Sequence, residues 1–267
     1  MLETGFMGDS MRASWCLLLC LGAGPVLAAA PDANVQGFKA YEKGDYKKAH
    51  ALFEKALKKD PANPYARLNR ARTRTLLQHK MEDGDDFDYC DFAKNWLYLA
   101  LADLSKAVEL NREALLPKID EDQQGLKVLK AREEYKKWRR AVAVLAEEKG
   151  AVDAVLGSKS EWAYAPPGRV VQSVDMAADQ RVVASRMGMT PHAPAKWRRV
   201  GTDVELTPVA AGEKARTWKL KVRESYFNQG AAYFHELTLE PEGRVEAPSE
   251  EWMQGPLVAG PLVHDCG

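Results

Sequence analysis

The stretch GDYKKAHALFEKALKKDPAN, residues 44–63, constrains the fold more than any other part of the chain. Gly44-Asp45 reads as a turn, after which apolar residues recur at helical spacing over residues 46–59. Ala49, Phe53 and Ala56 fall on one face. The two alanines let a neighbouring helix come close, and Phe53 fills the gap between them. Asp60-Pro61 stops the helix, because the residue before a proline avoids the α region. A helix ahead of the turn, over residues 35–43, completes a helix–turn–helix unit. Such a unit is stable only when stacked, so further helices are predicted downstream.

Taken together, Gly37, Gly44, Asp45, Tyr46, Ala49, Phe53, Ala56 and Pro61 resemble the tetratricopeptide repeat, with one copy at about residues 30–63. Ala33, Gln36 and Ala40 stand where that family usually carries large side chains, so the first helix is expected to pack loosely at the edge of the stack. A second, degenerate copy covers residues 64–111. PYARLNRARTRTLL turns Leu68 and Ala71 inward, and NWLYLALADLSKAVELN repeats the earlier spacing with Ala100, Leu104 and Ala107. An insertion, residues 78–94, separates its two helices. Over residues 123–149, Val128, Ala131, Tyr135, Trp138, Val142 and Leu145 form an amphipathic stripe. That stripe reads as a helix capping the open end of the stack, with a divergent third repeat as the alternative.

Near Gly157 the pattern changes from helices to short strands, which predicts an α+β chain: a helical stack over 29–157 and an antiparallel β sandwich or barrel over 158–267. GRVVQSVDM and QRVVASRMG read as one hairpin. KWRRV and DVELTP read as another, turning at Gly201-Thr202. RTWKLKVRE alternates Trp218, Leu220 and Val222 with Lys219, Lys221 and Arg223, giving one buried and one wet face. AAYFHELTLEP is the last strand expected before a Pro- and Gly-rich tail. Trp197 followed by a hairpin and alternating strands is faintly similar to lipocalin-like barrels, without a motif specific enough to transfer residue roles.

The N-terminus carries a leader. Arg12 supplies a positive region, residues 15–21 an apolar core and Val26-Leu27-Ala28 a small-residue cleavage pattern, so residues 1–28 are expected to form a signal peptide starting at Met11. Gly22, Gly24 and Pro25 end the apolar run well short of the ~20 residues of a membrane span. Trp15 and Leu19 precede Cys16 and Cys20 where lipid modification requires a small residue, so a lipid anchor is not expected. The expected setting is therefore the periplasm or the outside of the cell. Cys90 and Cys266 then remain, and they either pair as a disulfide or stay as buried thiols.

Lys+Arg and Asp+Glu both number 38, so nothing electrostatic points to nucleic acid. The acidic loop EDGDDFDYCD lacks the glycine and glutamate positions of an EF-hand, and the five histidines include no i, i+4 pair. No nucleophile elbow, phosphate loop or dinucleotide fingerprint occurs, so neither a metal, a cofactor nor catalysis is expected. The repeat resemblance implies capture of a peptide or protein segment on a concave face built from the first helix of each repeat. The residues it implies are Asn34, Phe38, Tyr41 and Glu42, with Leu68 and Arg72. The expected role is a non-catalytic interaction or scaffold protein of the cell envelope. Its rivals are a β domain holding a small apolar ligand and, third, an envelope enzyme.

Overall fold

The computed structural model describes residues 32–82, 96–157, 159–165, 172–186, 189–227, 231–243 and 250–260. The expected leader, the acidic loop beyond Glu82, and Cys90 and Cys266 lie outside these residues. Residues from Asp32 onward form one compact unit.

Helices α1 (Ala33–Glu42) and α2 (Tyr46–Lys59) form the first hairpin. Asp32 and Asp45 cap their starts by accepting from the backbone N–H of Asn34 and Lys48, and Gly44 makes the turn at φ +75°. Phe53 is fully buried between Ala40 and Ala49. Gly37 permits that packing, since a Cβ there would lie 2.6 Å from Cε1 of Phe53. The small residues of the first helix thus make a close contact, not the loose edge their size predicts.

The second hairpin is α3 (Pro64–Glu82) and α4 (Trp96–Glu121). Leu68, Ala71, Ala100, Leu104 and Ala107 all enter its core, as their spacing predicts. Helix α4 is interrupted at Asn111 (φ −159°, ψ 75°), whose side chain accepts from the N–H of Ala114 and restarts the helix. The expected capping helix is two helices, α5 (Lys127–Ala131) and α6 (Glu133–Leu145), followed by the short α7 (Ala151–Val155). Arg132 takes an extended conformation between α5 and α6, which resets the helical rotation. Tyr135, Trp138 and Val142 are consequently buried, whereas Ala131 and Leu145 at the ends of the predicted stripe are exposed. Inside the stack the Trp138 indole donates to Ser105 Oγ at 2.9 Å, joining α6 to α4.

Eight antiparallel strands then close a barrel in chain order: β1 (Ser160–Tyr164), β2 (Gln172–Met176), β3 (Arg181–Arg186), β4 (His192–Val200), β5 (Asp203–Pro208), β6 (Arg216–Phe227), β7 (Ala232–Pro241) and β8 (Leu257–Ala259). The β2–β3 and β4–β5 hairpins lie where the sequence predicts, with Gly201 at φ +65°. Register defines the inner face. Trp162 faces Val174 and Ala259, Trp197 faces Leu206, Val204 faces Trp218, and Leu239 faces Leu257. A 3-10 turn, η1 (Glu251–Gln254), adds Trp252 and Met253 to the same core.

Strands β6 and β7 tie the two halves together. Their hairpin continues past the pairing with β5 and lies on α4, where Tyr98 packs against Phe227 and Phe234 at 6.0 and 5.7 Å. Phe234 joins the helical core and Ala141 of α6 joins the barrel core, so the two cores meet across β7.

Candidate functional site

A cavity of about 870 Å³ lies on the helical stack between α1, α3 and the end of α4. Five of the six residues implied by the repeat resemblance line it: Asn34, Phe38, Glu42, Leu68 and Arg72. Helical spacing brings them together. Asn34, Phe38 and Glu42 lie four residues apart along α1, as do Leu68 and Arg72 along α3. Tyr41, the sixth, stands behind the wall. Its ring stacks on Phe38 at 6.1 Å and tilts against Tyr46 at 5.6 Å. Burial, reinforced by the Asp122 carboxylate, pushes the Tyr41 hydroxyl up to about 12.

The floor is a chain of polar contacts. The Asn69 amide donates to Asn34 Oδ1 at 3.2 Å, and Arg72 Nη1 donates to Asn69 Oδ1 at 3.1 Å. Arg72 Nε donates to Asp122 Oδ2 at 2.5 Å, while Asp122 Oδ1 accepts from the backbone N–H of Gln124 and Gly125. Burial works to raise the Asp122 pKa, but the Arg72 hydrogen bond and charge, with the two amides, outweigh it and hold the carboxyl below its ordinary value. Gly125 is needed here, because a Cβ would lie 2.5 Å from the Tyr41 hydroxyl and 2.8 Å from Cγ of Arg72.

The walls differ from the floor. Val35, Phe38 and Tyr65 are 48%, 39% and 43% exposed, whereas Leu68 is buried and closes the cavity from below. Lys39 and Lys118 with Glu42 and Glu121 line the rim, so charges of both signs surround an apolar patch. Tyr65, Asn69 and Asp122 were not anticipated from the sequence. The first two lie on the same helix as Leu68 and Arg72 and were within reach of a fuller reading of α3. Asp122 arrives from a turn 50 residues along the chain from Arg72.

Residues 40–79 match the model of the tetratricopeptide repeat. The chain is tetratricopeptide-like over this span, which holds α2 and most of α3. The match indicates an interaction module. Its groove-lining part is α3, while most of α1 precedes it. No curated protein and no solved structure matches the chain. Among the described residues, no helix is long and apolar enough to cross a membrane.

Among the described residues, a separate cluster brings metal-ligating groups together. Glu109 of α4, Glu224 of β6 and His235 of β7 place a donor atom each within 4.8 Å of one another. His235 is buried where the β6–β7 hairpin extends onto α4. Burial, together with nearby Arg112 and Lys106, pushes the His235 pKa down against the pull of Glu109 and Glu224. Both carboxylates already accept hydrogen bonds, Glu109 from Lys106 and Tyr233 and Glu224 from Tyr226. Inside the barrel, Trp162, Trp197, Trp218 and Trp252 and the aliphatic side chains of the described strands fill the core.

Proposed function

We propose that this chain is an exported, non-catalytic interaction protein of the cell envelope, and that the α1–α3–α4 groove takes a segment of a protein partner. The observation that carries the reading is the groove itself: exposed aromatic and aliphatic walls over a fixed polar floor, on helices of which α3 lies mostly within the matched repeat. Phe38, Val35 and Tyr65 suit one or two apolar anchor side chains of the partner. Lys39 and Lys118 against Glu42 and Glu121 suit a flanking sequence of mixed charge. At about 870 Å³ the space holds a few side chains, as for a short peptide stretch and not a whole domain face. The leader anatomy before Ala29 supports export. The packed barrel interior favours the groove over the barrel as the binding surface.

In-cell photocrosslinking tests this. A photoreactive residue at Val35 is expected to capture a defined partner, and the same residue at Val209, 64% exposed on the barrel, is not. Phe38→Ala with Tyr65→Ala should remove the Val35 product while leaving the circular dichroism spectrum unchanged. Products from position 209 but none from position 35 would reject the groove. Intact-mass analysis of the mature chain tests export separately, and retention of residues 1–28 would reject it.

A further inference from the structure

Three arginines on one face of α3 share a single buried carboxylate. Asp103 of α4 is 2% exposed, and it accepts from Nε and Nη2 of Arg70 at 2.8 and 2.6 Å and from Nη1 of Arg74 at 2.7 Å. Arg67 Nη1 stands 3.6 Å away. All three guanidinium groups are largely withdrawn from water, with side chains 11–19% exposed. Burial lowers the pKa of Arg67 and of Arg74, and Asp103 does not fully compensate either. At Arg70 the same burial is outweighed by the Asp103 hydrogen bonds.

Among the described residues, the remaining carboxylates nearby are committed or exposed. Glu54 is 45% exposed and lies 3.8 Å from His50, and Glu109 is held by Lys106 at 2.7 Å and by the Tyr233 hydroxyl. Among the described residues close to the carboxylate, three positive charges therefore meet one negative charge, a surplus of two in a poorly solvated place. Buried charge of this kind demands a counter-charge. Beside it lies a cavity of about 330 Å³, lined by the three arginines and Lys106 and closed by Ala231, Ala232 and Tyr233 of the β6–β7 hairpin. The alanines leave room where larger side chains would fill it.

We infer that this cavity binds a phosphoryl group, as free phosphate or as a small phosphomonoester. A phosphate carries about −1.5 to −2 near neutral pH, which matches the surplus, and guanidinium N–H groups beyond those given to Asp103 and to the carbonyls of Pro61 and Leu99 can donate to its oxygens. The volume lies at the small end of ligand pockets, about 300–1,000 Å³, which admits the phosphoryl group with a short organic remainder. The site is separate from the groove proposed for a protein partner.

The test uses the full chain at constant ionic strength in chloride, titrated with inorganic phosphate or with glycerol 3-phosphate. Binding is read by ³¹P line broadening and by the unfolding midpoint. Saturable binding with a dissociation constant of about 1 mM or tighter is expected, weakened ~10-fold by Arg67→Gln. Because Arg70 and Arg74 hold Asp103 in the core, Lys106→Gln on the rim serves as the second variant, with a smaller loss expected. Tighter binding of the ester identifies a phosphorylated metabolite as the ligand, and equal or tighter binding of inorganic phosphate identifies the free ion. No saturable response to either probe up to about 10 mM overturns the inference. Binding that neither variant changes places the anion elsewhere and overturns it as well.

Discussion

Gly37→Ala sets two general effects against each other at one atom. In an open helix, replacing glycine by alanine stabilises by about 0.5–1 kcal/mol, because the unfolded chain loses freedom and the helix does not. In α1 the added Cβ would lie 2.6, 2.8 and 3.1 Å from Cε1, Cδ1 and Cζ of Phe53. That ring is fully buried against Ala40 and Ala49, with Tyr41 and Leu52 beside them, so its retreat is blocked. Overpacking of this kind typically costs about 1–3 kcal/mol, which exceeds the propensity gain. The net expectation is destabilisation by about 1 kcal/mol, or roughly fivefold in the opening equilibrium of α1.

Amide hydrogen exchange over α1 is the appropriate assay, because α1 is the first helix of the stack and is held mainly by α2. Gly37→Ala should speed exchange of its amides while leaving α4 and the barrel strands unaffected. In a Phe53→Leu background the clash is relieved, and the same substitution should then slow exchange by the propensity gain. The sign of the effect reverses between backgrounds only if the contact, and not glycine's flexibility, explains the residue. Slower exchange on Gly37→Ala alone, or the same loss in both backgrounds, would refute the argument.

Three further outcomes follow from the same geometry. Asp122→Asn should destabilise at neutral pH by about 1–3 kcal/mol, because Arg72 loses its charged acceptor. The Asp122 pKa is lowered in the fold, so its contribution is complete above the unfolded value near 4 and is lost as pH falls through the folded one. Urea titrations of wild type and variant should accordingly converge in acid. Trp138→Phe should cost about 1–3 kcal/mol by leaving Ser105 without its indole donor, and adding Ser105→Ala should recover part of that loss in thermal unfolding. Trp218→Ala should cost about 3–5 kcal/mol, since Trp218 is buried in the barrel beside Trp252 at 6.1 Å, and near-ultraviolet circular dichroism should report the disturbed core.

Much of the fold was legible because its signals are local. The spacing of Ala49, Phe53 and Ala56, the Gly44-Asp45 turn and the alternation along residues 216–224 each require only a short window of sequence. What escaped was non-local. Strands β1 and β8 close the barrel, yet β8 has three residues inside a Pro- and Gly-rich stretch, and its pairing with β1 joins opposite ends of the β region. The extended conformation of Arg132 was equally hidden, because the stripe from Val128 to Leu145 keeps helical spacing across the break. In the groove, the residues on α1 and α3 follow from repeat spacing, whereas Asp122 and Gly125 depend on how the α4–α5 turn folds back.

The β6–β7 hairpin explains why a helical stack of this size needs a barrel beside it. Two repeats have a core open at the end, and a helix alone offers limited apolar surface to close it. Here α5 and α6 cover part of that core, while β7 brings Phe234 into the remainder and receives Ala141 of α6 in return. The barrel core is filled with tryptophan and aliphatic side chains, which suits a rigid support. On the helical layer the same hairpin walls one side of the arginine cavity through Ala231, Ala232 and Tyr233. Among the described residues nothing covers the groove on the α1 side, and Phe38 and Tyr65 are exposed there. The barrel therefore packs on one side of the stack, and the apolar surface of the groove lies on the other.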